Sequence, residues 1–389
     1  MKFWNSVEKE IVEDELVSLV RELIKIPSYA EIKDGEKRVA EYLANFFREN
    51  GLSPEIREVG SGVNIIVSFG AVEANSPSLM FNGHLDTVPV ENMTVPPFDA
   101  EIREGKIYGR GACDMKGGLG SMAMALVALK RAGVKLRGRL VFTGVSAEEA
   151  GSWGTKEIVN SGPLTDCVIV GEPTNLEIVS ASKGIILAII DVFGKAAHGS
   201  TPELGINAIY KAVKLIQKVQ EKLPKIFEKK RHPLLGSPTF NLGTIRGGER
   251  FNIVPEKCNL VFDRRVLPGE TTEEINKEFQ EIIQSLKRED SEFDAKLQML
   301  MGLPPMDTPL ELPFIKCLGE AVKQVVGRTV YSGIPGATDA SIFSQHGIPG
   351  IVFGPGHLSK AHTRDEYVEI SQLKQATKIY ALTALKYLG

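Results

Sequence analysis

The feature that most limits the possible folds is an alternation of short β-rich runs with segments of helical spacing. The runs lie at 63–69, 78–81, 140–145, 167–170 and 351–353. Helices are predicted at 8–25, 36–50, 115–131 and 371–388, from apolar residues at helical spacing or an Ala/Leu-rich composition. Strands that alternate with helices predict an α/β fold with a largely parallel central sheet.

The middle of the chain follows a different pattern. It combines predicted strands at 185–192, 240–245 and 257–264 with helices at 206–223 and 272–288, which together indicate a compact α+β unit. A chain of 389 residues is also too long for one ordinary core. We therefore predict a catalytic domain at 1–183 and 302–389 that is interrupted by an inserted domain at 184–301.

Composition excludes several classes of partner. A net charge of -3 provides no electrostatic basis for binding nucleic acid or an anionic membrane. The four cysteines lie far apart without a CxxC pair, which favours a reducing compartment over a disulfide framework. Because the first residues lack the apolar core of a signal peptide and no apolar run is long enough to span a bilayer, we expect a cytoplasmic protein.

Metal-capable side chains lie in five segments, four of them after one of these apolar runs and one after the glycine-rich turn at 109–113. They are His84 with Asp86, Asp114, Glu148 with Glu149, Glu172, and His362. The carboxyl ends of parallel strands meet at one crevice, so residues distant in sequence can lie close together there. Imidazole and carboxylate are ligands that zinc and similar divalent ions readily take.

Each of these residues also has an ordinary structural interpretation. A lone His-x-Asp is usually a surface pair, adjacent glutamates usually form a solvated face, and Glu172 before Pro173 could be a turn residue. The coincidence of ligand types at five strand ends favours a metal site instead. Two histidines and three carboxylates suit two divalent ions that share a bridging carboxylate, zinc first and cobalt as the alternative.

Two further carboxylates are then available for other roles. Glu148 is left over as a general base, since adjacent Glu148 and Glu149 cannot play the same part in one geometry. Asp86 lies two residues after His84 and suits a role in accepting the other ring N–H of that imidazole.

Taken together, these motifs resemble the M20 metallopeptidases. They are GHLDTVP at 83–89, GRGACDMKGG at 109–118, EEAG at 148–151, GEP at 171–173 and AH at 361–362. This family includes acetylornithine deacetylase, succinyl-diaminopimelate desuccinylase, aminoacylase-1 and the glutamate carboxypeptidases. The resemblance covers essentially the whole chain and implies a zinc-peptidase-like catalytic domain with an inserted α+β lid that often serves dimerisation.

The resemblance also implies a role for each residue of the centre. It assigns His84 and Glu172 to one zinc, Glu149 and His362 to the other, and Asp114 to both, followed by a peptide bond that is often cis. Glu148 becomes the proton shuttle, and Asp86 the residue that orients His84.

The predicted lid carries further residues that the resemblance implicates. His198, in GKAAHGS at 194–200, would polarise the scissile carbonyl, often in the partner subunit's site, although it could be an ordinary loop histidine. Asn252 and Arg265 match carboxylate-binding positions, but Arg265 could instead pair with Asp263. Thr338 lies in a segment that resembles a substrate-facing loop and could equally be a helix N-cap.

The function that these observations favour is hydrolysis of an amide next to a free carboxylate by a dizinc enzyme. The expected substrate is an N-acyl amino acid, as for acetylornithine deacetylase or succinyl-diaminopimelate desuccinylase, with a carboxypeptidase or dipeptidase as the alternative. A catalytically silent amino-acid-binding homologue and another dinuclear zinc aminopeptidase fold are weaker alternatives. We expect a homodimer formed through the lid and no nucleic-acid or membrane partner.

Overall fold

The computed structural model describes residues 3–71, 76–91 and 93–389. The α-helices are α1 (Trp4–Lys9), α2 (Glu13–Lys25), α3 (Gly35–Glu49), α4 (Gly117–Arg131), α5 (Trp153–Ser161), α6 (Ala208–Phe227), α7 (Thr272–Glu289), α8 (Pro313–Val326), α9 (Asp339–Gln345) and α10 (Ile370–Leu388). The strands are β1 (Pro54–Val59), β2 (Gly62–Gly70), β3 (Ser78–His84), β4 (Glu101–Arg103), β5 (Lys106–Tyr108), β6 (Arg139–Val145), β7 (Cys167–Val170), β8 (Ile178–Ser182), β9 (Gly184–Phe193), β10 (Thr239–Gly247), β11 (Lys257–Val266), β12 (Asp294–Met301), β13 (Met306–Asp307), β14 (Tyr331–Ile334), β15 (Gly350–Val352) and β16 (Tyr367–Glu369).

The chain divides into two units, each with its own core. The first unit comprises Met1–Ser180, Thr308–Ser332 and Thr338–Gly389, and the second comprises Ala181–Asp307 and Gly333–Ala337. The short stretches 181–183 and 302–307, which we expected in the catalytic domain, cluster with the second unit. That the two units are separate domains with the predicted boundaries stays a prediction.

A mixed sheet forms the centre of the first unit, with the strand order β1-β2-β6-β3-β7-β15-β8. The four strands β6, β3, β7 and β15 pair in parallel, whereas the pairings on either side of them are antiparallel. The α/β class is therefore confirmed, but the parallel pairing is confined to the middle of the sheet. Because parallel strands end at one edge, the loops after β3, β6, β7 and β15 meet there.

Helix α4 lies at the core of the first unit. All residues from Gly117 to Leu129 are buried, and the helix packs against α2 and α10. The segment Ala112–Arg131 is long and apolar enough to cross a membrane, but all of its most apolar window is buried within the protein, as for a core helix. The helix predicted from residue 115 begins at Gly117, since Asp114 and Met115 have non-helical backbone angles.

An antiparallel sheet with the order β10-β11-β9-β12 forms the second unit, together with helices α6 and α7. Alternate residues of β9 and β11 are buried, so one face of the sheet contributes to a core shared with both helices. The Asn207 side chain caps α6, and a capping box of Thr271 and Glu274 starts α7. These local signals determine where the two helices of the unit begin.

Candidate metal centre

His84 is the last residue of β3 and is buried where the central strands end. Its Nε2 lies 3.0 Å from Asp114 Oδ1 and 3.5 Å from Glu172 Oε1. Its Nδ1 lies 2.9 Å from the backbone carbonyl oxygen of Asp86 and 3.4 Å from the Asp86 carboxylate. When Nδ1 donates its proton to that carbonyl, Nε2 is left to face the two carboxylates as a metal ligand would.

The Asp86 carboxylate has a second role that the sequence did not suggest. Its Oδ1 accepts the backbone N–H of Glu148, and its Oδ2 accepts that of Glu149, both at 3.1 Å. We predicted that the carboxylate would orient His84, but the shorter contact to the ring comes from the Asp86 main chain. The carboxylate thus holds the loop after β6 against the end of β3.

His362 forms the other half of the cluster. Its Nε2 lies 3.1 Å from Asp114 Oδ2 and 2.9 Å from Glu149 Oε1, and its backbone has a left-handed φ of 59°. Each oxygen of Asp114 therefore faces a different imidazole. The peptide bond between Asp114 and Met115 is cis.

Two groups of potential ligands share Asp114. One is His84, Asp114 and Glu172, the other is Asp114, Glu149 and His362, and in each group the ligand atoms lie within 4.8 Å of one another. Nitrogen and carboxylate oxygen donors in these numbers are what zinc and related divalent ions bind. The chemistry of the donor set therefore fits two divalent ions with one bridging carboxylate.

The pKa values of the two histidines and of Asp114 are shifted in the directions expected when imidazoles and carboxylates face one another. Burial opposes a charged His84, but Glu172 and the hydrogen-bonded Asp114 raise its pKa well above the ordinary value. Hydrogen bonds to Asp114 and Glu149 raise the pKa of His362 to about 10. Burial alone would raise the pKa of Asp114, but the two histidines hold it below its usual range. These shifts have one cause, the close approach of carboxylates and imidazoles, which is also the arrangement that gathers ligands around a cation.

The pKa of Glu148 is shifted upward, as is that of the buried Glu172. Burial, and then the charge of Asp339, raise the pKa of Glu148 well above that of an exposed glutamate. A carboxylate with a raised pKa is a stronger base, so it can accept a proton and later return it. The geometry and the pKa therefore suit the role in proton transfer that we predicted for it.

Two acidic residues near this loop were missed in the sequence. Glu36, at the start of α3, accepts the N–H of Ala147 at 2.7 Å, and burial raises its pKa to about 7. Asp339 is buried at the start of α9, and burial raises its pKa to about 6. Neither follows an apolar strand-like run, so neither was predicted to belong to the site, although Asp339 directly follows Thr338 in the segment that resembles a substrate-facing loop.

His198 and Asn252 lie on adjacent exposed loops of the second unit. The N–H of Gly199 donates to the Asn252 carbonyl oxygen at 2.8 Å. The Nδ1 of His198 accepts the N–H of Ser200 at 3.2 Å, so the neutral ring carries its proton on Nε2. The loop thus presents a ring N–H donor.

Arg265 and Thr338 have the structural partners or positions that we considered as alternatives. Arg265 makes a bidentate pair with Asp263, at 2.9 Å for Nε to Oδ1 and 3.0 Å for Nη2 to Oδ2. Thr338 occupies the N-cap position of α9, but its side chain makes no capping hydrogen bond. Within the described residues, the buried Thr338 hydroxyl has no hydrogen-bond partner.

Comparison with known proteins gives consistent matches over most of the chain. The sequence model of peptidase family M20/M25/M40 matches residues 80–386. An acetylornithine deacetylase of Buchnera aphidicola subsp. Schizaphis graminum is 29% identical over 374 residues, which cover 93% of this chain and 95% of that protein. A probable succinyl-diaminopimelate desuccinylase of Staphylococcus aureus is 29% identical over 413 residues, covering 97% and 98%.

Solved structures have the same fold. A protein of Bacillus subtilis, described as a dinuclear metal binding peptidase from the M20 family, superimposes with a TM-score of 0.76. It is 17% identical in sequence, and the match covers 97% of this chain and 98% of that one.

Proposed function

Because this chain belongs to peptidase family M20/M25/M40, and is thus a metal-dependent hydrolase, we propose that it removes the acyl group from an N-acyl amino acid. The resemblance inferred from the motifs is thereby confirmed. The observation that carries the proposal is the pair of ligand groups that share Asp114, with Glu148 beside them. Whole-length relatives named acetylornithine deacetylase and succinyl-diaminopimelate desuccinylase support acyl amino acids as the substrate class.

Two divalent ions, zinc or cobalt, complete the proposed centre. We assign His84 and Glu172 to one ion, Glu149 and His362 to the other, and Asp114 to both, which the contacts among these side chains support. When bound, such ions lower the pKa of a water molecule toward neutrality and polarise the amide carbonyl.

The chain's own residues then manage the proton and the substrate. Glu148 accepts a proton from the attacking water and delivers it to the leaving amine nitrogen, while Asp86 holds Glu148 through its backbone N–H. The Nε2–H of His198 is proposed to donate to the oxygen of the scissile carbonyl, where negative charge develops.

We also propose roles for three residues in binding the substrate. Asn252 and Arg265 would bind its free carboxylate, with Arg265 exchanging its present pairing with Asp263 for the ligand. The unpaired hydroxyl of Thr338 would contact the substrate, which its lack of a partner within the described residues supports.

Assembly as a homodimer through the second unit is part of the proposal. Strand β10 lies at an edge of its sheet and is largely exposed, and Tyr210, Val213 and Ile245 are exposed apolar residues of the same unit. An exposed edge strand with apolar neighbours favours pairing with another chain. We further propose a cytoplasmic location, which the absence of disulfides among the four cysteines supports.

A carboxypeptidase or dipeptidase activity is the second candidate, since the superimposable Bacillus subtilis protein is described as a peptidase. A panel of substrates separates the two. Full-length protein loaded with zinc or cobalt is assayed on N-acetyl amino acids, N-succinyl amino acids and dipeptides. Faster turnover of the acyl amino acids supports the proposal, faster turnover of dipeptides supports the second candidate, and binding without hydrolysis would contradict both.

A further inference from the structure

Glu366 is a buried carboxylate that the proposed mechanism does not use. It lies four residues after His362, immediately before β16, and its exposed fraction is 0%. Its Oε2 lies 2.6 Å from Arg110 Nη1. Its Oε1 accepts two successive backbone N–H groups, from Cys113 at 2.9 Å and from Asp114 at 3.0 Å.

Burial raises the pKa of Glu366, but the N–H of Asp114 and the charge of Arg110 oppose this shift and favour the ionised carboxylate. Two successive N–H groups that point at one oxygen form a small anion-binding concavity in the backbone. Arg110, which is 3% exposed, balances the charge and donates from Nε to the Pro89 carbonyl oxygen at 3.0 Å. Hydrogen bonds of this charge-assisted kind are stronger than neutral ones and more specific in geometry.

The same residue joins the two segments that carry Asp114 and His362. Besides the side-chain contacts, the N–H of Gly109 donates to the Glu366 carbonyl oxygen at 3.1 Å. The next residue, Tyr367, pairs with Tyr108 in the small sheet of β16, β5 and β4. Glu366 therefore fixes the turn that bears Asp114 against the loop that bears His362.

We infer that Glu366 is a positioning residue that sets the spacing of Asp114 and His362 and so controls the affinity of the ion they hold with Glu149. This inference rests on the proposed function, because it assumes a two-metal centre. His84 is positioned separately, by β3 and by the carbonyl of Asp86. The ion held by His84 and Glu172 therefore depends less on Glu366.

The test is metal binding to full-length protein with the substitution Glu366→Gln. An amide presents one acceptor oxygen where the carboxylate presents two, so either the Arg110 contact or the N–H contacts are lost. We expect the affinity for the ion held by Asp114, Glu149 and His362 to fall about 10–100-fold, with a smaller change in the other affinity. Calorimetric titration of metal-free protein with zinc gives both affinities, and the visible absorption of bound Co(II) reports on the ligand geometry.

Glu270→Gln is a matched control in the second unit. The Glu270 carboxylate also pairs with a buried arginine, Arg264, at 2.8 Å and accepts a backbone N–H, from Leu267, at 2.7 Å. The substitution Glu270→Gln therefore makes the same change from carboxylate to amide at a residue that does not contact the proposed metal ligands. We expect Glu270→Gln to lower thermal stability and to leave both metal affinities and the Co(II) spectrum as in the wild type.

The outcomes separate this inference from the proposed function. If the wild type binds two ions and Glu366→Gln binds them with unchanged affinities, the inference alone is wrong. It is also wrong if Glu270→Gln loses as much metal affinity as Glu366→Gln. Fewer than two ions in the wild type would overturn the proposed function and the inference with it. If Glu366→Gln does not fold, Glu366→Asp keeps the charge but withdraws the carboxylate by one methylene, and the same selective loss is expected.

Discussion

The two sets of predicted functional residues are held by very different means. In the first unit, His84, Asp114 and Glu172 are buried, and each contacts another member of the cluster. In the second unit, His198 and Asn252 are exposed, and their loops are joined by backbone hydrogen bonds rather than by contacts between the functional groups. The side chains of the first set hold one another in place, whereas those of the second set are proposed to gain their functional partner from a bound substrate.

The largest effect is expected at the first set. Glu148→Gln removes the carboxylate that moves the proton but none of the five proposed ligands, so kcat should fall about 10²–10⁴-fold while two ions remain bound. Steady-state kinetics and metal analysis of the same sample measure both quantities. A variant with near-normal kcat would mean that Glu148 does not move the proton. The buried cluster would then not be more important for turnover than the exposed loops.

A smaller effect is expected from the exposed histidine. His198→Ala removes the ring N–H donor, and kcat should fall by about 10²-fold with little change in metal content or thermal stability. His232→Ala, in the same unit, is the control, since His232 contacts Asp307 and has no role in the proposed mechanism. Equal kinetic losses in the two variants would show that His198 acts only through the structure of its unit.

Arg265 tests whether a residue with an internal partner also binds the substrate. Arg265→Lys keeps the charge but loses the bidentate geometry, so KM for a substrate with a free carboxylate should rise roughly tenfold with a smaller change in kcat. Asp263→Asn removes the competing partner and should leave KM unchanged or lower it. If both variants raise KM alike, the pairing of Arg265 with Asp263 is structural and the proposed carboxylate contact is wrong.

The smallest effect is expected from Glu36, which contacts the loop of Glu148 through the N–H of Ala147. Burial raises the pKa of Glu36 from 4.5 to about 7, so between these values the folded protein binds a proton that the unfolded chain has released. Stability contributed by Glu36 is therefore lost as the pH rises through this window. In metal-free protein, Tm should therefore fall between pH 5 and pH 8, by roughly 1–3 °C more in the wild type than in Glu36→Gln. The difference is small because the partial exposure of Glu36 screens its charge.

Glu41→Gln, at an exposed position of the same helix, is the control for that measurement. It should follow the wild-type dependence of Tm on pH. If Glu36→Gln also followed it, the contact between Glu36 and the Ala147 N–H would not contribute to the pH dependence of stability.

The contrast between the buried cluster and the exposed loops also determines how much of the fold and the site the sequence could predict. The α/β class and the family were predictable, because four of the five proposed ligands end or follow strands of the parallel part of the sheet, whose ends come together. Asp114 is the exception, since it follows β5 of the small antiparallel sheet. The pairing of His84 with Val145 across β3 and β6 is what places Glu148 and Glu149 beside His84. The roles assigned to these side chains, as to the lid residues, stay predictions.

Other features depend on contacts that no periodicity encodes. The Asp86 carboxylate binds the N–H groups of Glu148 and Glu149, and Arg265 binds Asp263, because of where loops and side chains come to rest. The antiparallel flanks of the sheet were not predicted, since a short buried strand has the same apolar composition in either direction. Residues 8–25 form two helices because Val12, with extended backbone angles, separates α1 from α2.

The position of β15 between β7 and β8 has a consequence for biosynthesis. The second unit is almost contiguous, from Ala181 to Asp307, so nearly all of it leaves the ribosome before β15 is made. Until then the central sheet lacks an inner strand, and the metal centre lacks His362. A nascent chain can therefore complete the core of its second unit while the first unit remains open, and the proposed ions would bind as one of the last steps of maturation.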